Sequence, residues 1–118
     1  MIAITNNPAV RDRGSGPVEY YDTDYLGVLN IVRDRIHLGH KLLTHPLSGS
    51  VKPGETPYKT VIISAEKSNL DEEALSIIED SIQTCHKFTA GSIERNLNAE
   101  VLKDFQLIDY SLIYSEGI

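Results

Sequence analysis

The chain has a single cysteine, no tryptophan, one methionine and two phenylalanines in 118 residues. One cysteine excludes an internal disulfide, which suits a reducing compartment. Cys85 falls mid-helix in the reading below, where a small buried filler is the simpler role than a reactive thiol. Positive charge is also short. Eleven Lys and Arg against 17 Asp and Glu leave a net charge of -6, which argues against nucleic acid as a partner, since phosphate backbones attract clustered cations and repel acidic surfaces. No apolar run approaches the ~20 residues of a membrane helix, and the opening Met-Ile-Ala-Ile-Thr has neither the basic start nor the apolar length of a signal peptide. These absences lead to an expectation of a cytoplasmic protein with no membrane attachment.

What remains is ordinary in composition, with 41% apolar and 24% charged residues, and of a length that supports one domain over residues 1–118 with a single core. Ile2 to Thr5 reads as a short buried strand stopped by Pro8. Ala9 to Gly16 holds at most one helical turn, and Val18 to Tyr21 reads as a second strand. Asp22, Thr23 and Asp24 offer caps for a helix from Tyr25 to Leu38, with Leu26, Leu29, Val32, Arg33 and Ile36 on its inner face and Gly39 ending it in a left-handed conformation. Lys41 to Thr44 is a third strand. Thr60 to Ser64, with Val61-Ile62-Ile63 at its centre, is a fourth of the kind covered on both faces. A long helix follows, capped by Asn69 or Asp71 and burying Ala74, Leu75, Ile78, Ile82, Cys85 and Phe88 or Thr89, until Gly91 breaks it. After a cap between Asn96 and Asn98, Val101, Leu102, Phe105, Ile108 and Leu112 form the stripe of a last helix ending near Tyr114. The order predicts an α/β fold: a small, mainly parallel sheet of about four strands covered by helices, Rossmann-like. The loop from Pro46 to Tyr58 is long enough for a crossover or for a wide hairpin.

That loop is the feature that points to function. Long loops without regular structure are uncommon in compact domains, and those that persist often carry function. From His37 to Lys59 there are three lysines and three histidines against one acid, Glu55, in a chain that is acidic overall. Ser48-Gly49-Ser50 with Lys52 has the makings of a backbone nest for a phosphate or carboxylate. The plainer reading is a tethered surface loop whose basic groups complement the acidic helix behind Asp71. Neither a Walker A loop nor a Gly-x-Gly-x-x-Gly run occurs. In open α/β sheets ligands bind outside the carboxyl ends of strands, so Asn6 and Asn7 after the first strand and Thr44 and His45 after the third would share a crevice if those strands run the same way. Asn-Asn-Pro also makes an ordinary turn. The expected ligand-binding residues are Asn6, Asn7, Thr44, His45, Ser48, Gly49, Ser50 and Lys52. No cofactor is named by these residues.

Other chemistries fare worse. Catalysis by Ser48 or Ser50 would need His45 as base and Glu19, Asp22 or Glu55 to orient it, and no nucleophile elbow is present. A metal site from His37, His40, His45, Cys85 and His86 fails on geometry, because a strand sets His40 and His45 about 16 Å apart on opposite faces. Tyr110 and Tyr114, one turn apart on the last helix, offer a face for a partner or a homodimer.

Thr5-Asn6-Asn7-Pro8, the run from Gly39 through His40-Lys41-Leu42-Leu43-Thr44-His45-Pro46-Leu47-Ser48-Gly49-Ser50-Val51-Lys52 to Pro53, Thr56-Pro57-Tyr58-Lys59 and Asp104-Phe105-Gln106-Leu107-Ile108-Asp109 resemble the GrdX family over nearly the whole chain. Its members are small proteins encoded beside the glycine, sarcosine and betaine reductase components of amino-acid-fermenting anaerobes. The resemblance implies a cytoplasmic protein associated with reductive deamination of glycine, with reductase components among its potential partners. It implies no catalytic residues, since that chemistry depends on selenocysteine, thiols and a carbonyl group of other subunits. The expectation is an accessory or regulatory protein that binds a small anionic ligand. The alternative is an assembly or docking factor that uses the loop or the last helix, and a third reading is an enzyme working through His45.

Overall fold

The structure, a computed structural model, describes residues 1–48, 52–89 and 98–114. In chain order the elements are β1 (Ile2–Thr5), α1 (Pro8–Arg13), β2 (Val18–Tyr20), α2 (Tyr25–His37), β3 (His40–Leu42), β4 (Thr60–Lys67), α3 (Glu72–Thr89) and α4 (Ala99–Tyr114). Local chemistry sets several ends. Asn7 accepts a hydrogen bond from the Ala9 amide and Pro8 opens α1, where a missing N–H costs nothing. Asp24 caps α2 through the Gly27 amide, Asp71 caps α3 through the amides of Glu73 and Ala74, and Asn98 caps α4 through that of Val101. Gly39 closes α2 at φ +104°, and the Ser68 amide donates to its carbonyl.

The four strands form one sheet in the order β2-β1-β4-β3. Only β1 and β2 pair in parallel, and β4 runs antiparallel to both β1 and β3. The expectation of a mainly parallel sheet is therefore corrected, and the topology gives no support to a Rossmann-like arrangement. The cause lies in the connections. α1 carries the chain from β1 to a parallel neighbour, whereas the stretch between β3 and β4 contains no crossover helix in its described residues and returns as a wide hairpin.

Strand alternation supplies two cores. Ile4, Val61 and Ile63 point to one face and pack under α2 and α3 with Val28, Leu29, Val32, Ile36 and Ile78. Ala3 and Ile62 point to the other face, against Val10 of α1 and Ile113 of α4. On α2 the buried face is centred on Tyr25, Val28, Leu29, Val32 and Ile36, while Arg33 reaches Glu79 of α3 at 3.6 Å. On α3 Phe88 is 42% exposed and lies outside the core. α4 is turned from the expected phase: Asp109 and Ile113 are buried, and Ile108 and Leu112 are 47% and 39% exposed. Among the described residues no helix is long and apolar enough to cross a membrane.

Because β1 and β3 both oppose β4, and β2 follows β1, three strands end at the edge where β4 begins. Asn6, Thr23, Thr44 and Thr60 all leave or enter the sheet there.

Candidate functional site

Buried polar groups concentrate at this edge. Among the described residues nine polar or charged side chains are buried, and seven of them, Thr5, Asn6, Asn7, Thr56, Lys59, Thr60 and Asp109, belong to the strand exits, the loop returning from β3 or the helix packed beside them. Buried polar atoms demand partners, so the arrangement can be followed bond by bond.

Asn6 ties three segments together. Its amide nitrogen donates to the carbonyls of Thr23 and Pro57 at 2.9 and 2.8 Å, and its oxygen accepts from the Lys59 amide at 2.9 Å. Asn7 donates to the Gln106 carbonyl and to Asp109 Oδ2, both at 2.9 Å, while its oxygen caps α1. Asp109, brought in by α4, also accepts from the Thr60 amide at 3.2 Å and the Thr60 hydroxyl at 2.6 Å. Since the one hydroxyl proton of Thr60 goes to the carboxylate, the 2.7 Å contact between the two threonine hydroxyls has Thr5 as donor. The Asn7 amide in turn donates to Thr5 Oγ1. The two asparagines expected to line a pocket thus have their side chains committed within the chain.

Lys59 sits next to this node, 3% exposed. Its ammonium donates to the Ser48 carbonyl at 2.7 Å. Burial pushes its pKa down to about 8, against the opposing pull of the Asp109 carboxylate. At neutral pH it remains a cation, held beneath the start of the loop by one carbonyl among the described residues.

The remaining expected residues divide. The Thr44 hydroxyl accepts from the Ile62 amide at 2.9 Å. His45 is exposed and its Nδ1 accepts from the Leu47 amide at 3.0 Å, so its proton lies on Nε2. An orienting acid would need Nδ1 as a donor, and Glu19 is instead engaged by Arg35 and by the Tyr21 hydroxyl. Ser48 is joined to Lys59 through its carbonyl. Lys52 does not meet the acidic start of α3; its ammonium lies 5.4 Å from the ring centre of Phe88, near the end of that helix. Gly49 and Ser50 lie outside the described residues. Thr44 and His45 also line an open groove of about 320 Å³ whose opposite wall is Asp71, Glu73 and Ala74 of α3.

No group of three or more His, Cys, Asp or Glu side chains among the described residues is arranged to hold a metal ion. His40 is buried with Nδ1 2.7 Å from the Ser64 carbonyl, which makes that nitrogen the donor. Burial raises the pKa of the Cys85 thiol and keeps it protonated. Sequence reasoning missed Lys59, Thr60 and Asp109. The available signals were a carboxylate between apolar residues of a helix, Leu107-Ile108-Asp109-Tyr110, and a lysine directly before a strand whose first four residues are buried.

A family model described as GrdX-like protein matches residues 2–116. The chain belongs to the GrdX-like family. The GrdX-like match runs from β1 through α4, so Asn6, His45, Lys59 and Asp109 all lie inside it. No curated protein and no solved structure matches the chain.

Proposed function

We propose that this GrdX-like protein is a cytoplasmic accessory or regulatory protein of glycine reductase metabolism that binds a small anionic ligand where β1, β2 and β3 end. The observation that carries the reading is Lys59, a buried ammonium that among the described residues has one carbonyl acceptor, at the foot of a loop rich in donors. Holding a cation out of water is unfavourable unless it is well paired. A carboxylate or phosphate that replaced the Ser48 carbonyl would pair it better. Ser48, Gly49, Ser50 and Lys52 would supply further donors, with Thr44 and His45 at the rim. Asn6 and Asn7 would act from behind, by fixing the strand ends and the backbone of Lys59.

Calorimetry with glycine, inorganic phosphate, acetyl phosphate and nucleotides tests this. The expected result is saturable binding of at least one anion, weakened about tenfold or more in Lys59→Met and in a Ser48→Ala, Lys52→Ala double variant. Absence of binding throughout the panel, or variants that bind as the parent does, would sink the reading.

A second reading rests on α4. Leu107, Ile108 and Leu112 are 51%, 47% and 39% exposed along one helix, an apolar strip of the kind interfaces use. Tyr110 and Tyr114 are not part of it: they stack on each other at 4.9 Å, and Tyr110 lies under Arg13 of α1. An assembly factor for reductase components, or a homodimer, would use this strip. Leu107→Glu with Ile108→Glu should then abolish capture of purified reductase subunits or self-association, with the unfolding transition unchanged.

A further inference from the structure

Lys59 has a neighbour of a different kind at the same edge of the sheet. Tyr25, the first residue of α2, buries its ring in the larger apolar cluster and is 5% exposed. A phenol hydroxyl that deep in a protein ordinarily has a hydrogen-bond partner. This one has none among the described residues. Nor is it sealed in. Among the described residues the one fully enclosed side-chain polar atom without a partner is the hydroxyl of Tyr114, which lies against Gly14 on the other face of the sheet. The Tyr25 ring is therefore buried while its hydroxyl can be reached.

Two links bring Tyr25 and Lys59 toward one another. The Asn6 amide nitrogen donates to the carbonyls of Thr23 and Pro57 at 2.9 and 2.8 Å. This joins the chain two residues before Tyr25 to the chain two residues before Lys59. Leu47 packs on the cluster that holds Tyr25, and the carbonyl of the next residue, Ser48, takes the Lys59 ammonium at 2.7 Å. Burial raises the pKa of the Tyr25 hydroxyl, and Cys85 and Asp109 raise it further, so the group stays protonated and is a donor. The same Asp109 carboxylate acts on Lys59.

The geometry points to Tyr25 as the second donor of the anion site, its hydroxyl and the Lys59 ammonium taking the two oxygens of one carboxylate. The inference rests on the Lys59 reading and narrows it to singly charged carboxylates. One ammonium with Asp109 beside it balances little negative charge, and Asp24, which caps α2 one residue before Tyr25, adds repulsion. His45 and Lys52 are exposed, where water and salt screen what they could offset. A dianion is therefore held worse than a monoanion, although it offers more oxygens.

The test titrates the whole protein with acetate and glycine as carboxylates and with sulfate as the dianion, read by calorimetry and by the Cζ resonance of Tyr25. At least one carboxylate is expected to bind about tenfold or more tighter than sulfate and to shift that resonance. Tyr25→Phe removes no hydrogen bond within the described residues, so its unfolding midpoint should stay that of the parent. Its carboxylate affinity should fall about tenfold, the worth of one hydrogen bond to a charged group, and Lys59→Met should lose binding altogether. The inference is overturned, with the Lys59 reading left standing, if Tyr25→Phe binds carboxylates as the parent does while Lys59→Met does not, or if sulfate binds as tightly as they do. Both fall if none of the three probes binds.

Discussion

Lys59 and Asp109 are buried in the same polar node and make opposite demands. Asp109 is satisfied by three donors from Asn7 and Thr60, and Asp109→Ala strands all three. The expected loss is about 3–5 kcal/mol of folding stability, read as a lower urea midpoint with unchanged slope. Among the described residues Lys59 is held by one acceptor, and its pKa falls from 10.5 to about 8. Between those values the unfolded chain retains a proton that the folded chain has released, so stability rises with pH. Cys85 and Tyr25 act in the other direction. Burial raises both pKa values, and their contributions are lost above the ordinary values of 9.0 and 10.0. From pH 8 to 9 Lys59 contributes a gain of roughly 1 kcal/mol that outweighs the opposing loss as Cys85 starts to ionise in the unfolded chain, so stability should rise in the parent and not in Lys59→Met. Neither residue stood out in the sequence as part of a site. A lysine before a strand and an aspartate in a helix usually face water, and only the packing of α4 on the strand ends removes both from it.

At the scale of elements, Gly39 is the junction on which β3 depends. Its φ is +104° and a Cβ there would lie 2.2 Å from the Ser68 carbonyl oxygen, a backbone atom that cannot move aside cheaply. Gly39→Ala should cost about 2 kcal/mol or more. Gly16, with φ +80° and no neighbour within 4 Å, is the control, and Gly16→Ala should cost only the left-handed strain of about 1 kcal/mol. Thermal unfolding of the two variants checks the difference. Gly39 was legible as a helix stop because glycine alone relaxes that conformation. The phase of α4 was not. Val101, Leu102, Phe105, Leu107, Ile108, Leu112 and Ile113 surround much of the helix, so apolar spacing admits more than one inner face. The three donors that Asp109 meets at the strand ends choose the one that leaves Leu107, Ile108 and Leu112 outside.

Across the whole molecule, the two helical layers are unequal. α2 and α3 cover one face with most of the apolar core, and the short α1 shares the other face with α4. Removing residues 98–118 would bare Ala3, Val10 and Ile62 and leave Asn7 and Thr60 without Asp109. The truncated chain should lose its cooperative transition and bind a hydrophobic dye, which fluorescence and near-UV circular dichroism would show. The ion pair between Arg33 and Glu79 joins α2 to α3 at the surface. Its Arg33→Ala variant should change stability by less than about 1 kcal/mol, since water and salt screen such pairs.

The order of helices and strands, the caps of α2, α3 and α4 and the two-faced burial of β4 were determined by the sequence alone. They follow from neighbours in the chain: side-chain period, turn residues and cap oxygens act over a few positions. Strand direction, the inward turn of Asp109 and the burial of Lys59 were decided only by the tertiary structure. Asp109 meets Asn7 and Thr60, 102 and 49 positions away, the backbone of Lys59 is fixed by Asn6, 53 positions away, and β4 pairs with both β1 and β3, so no local pattern records these contacts.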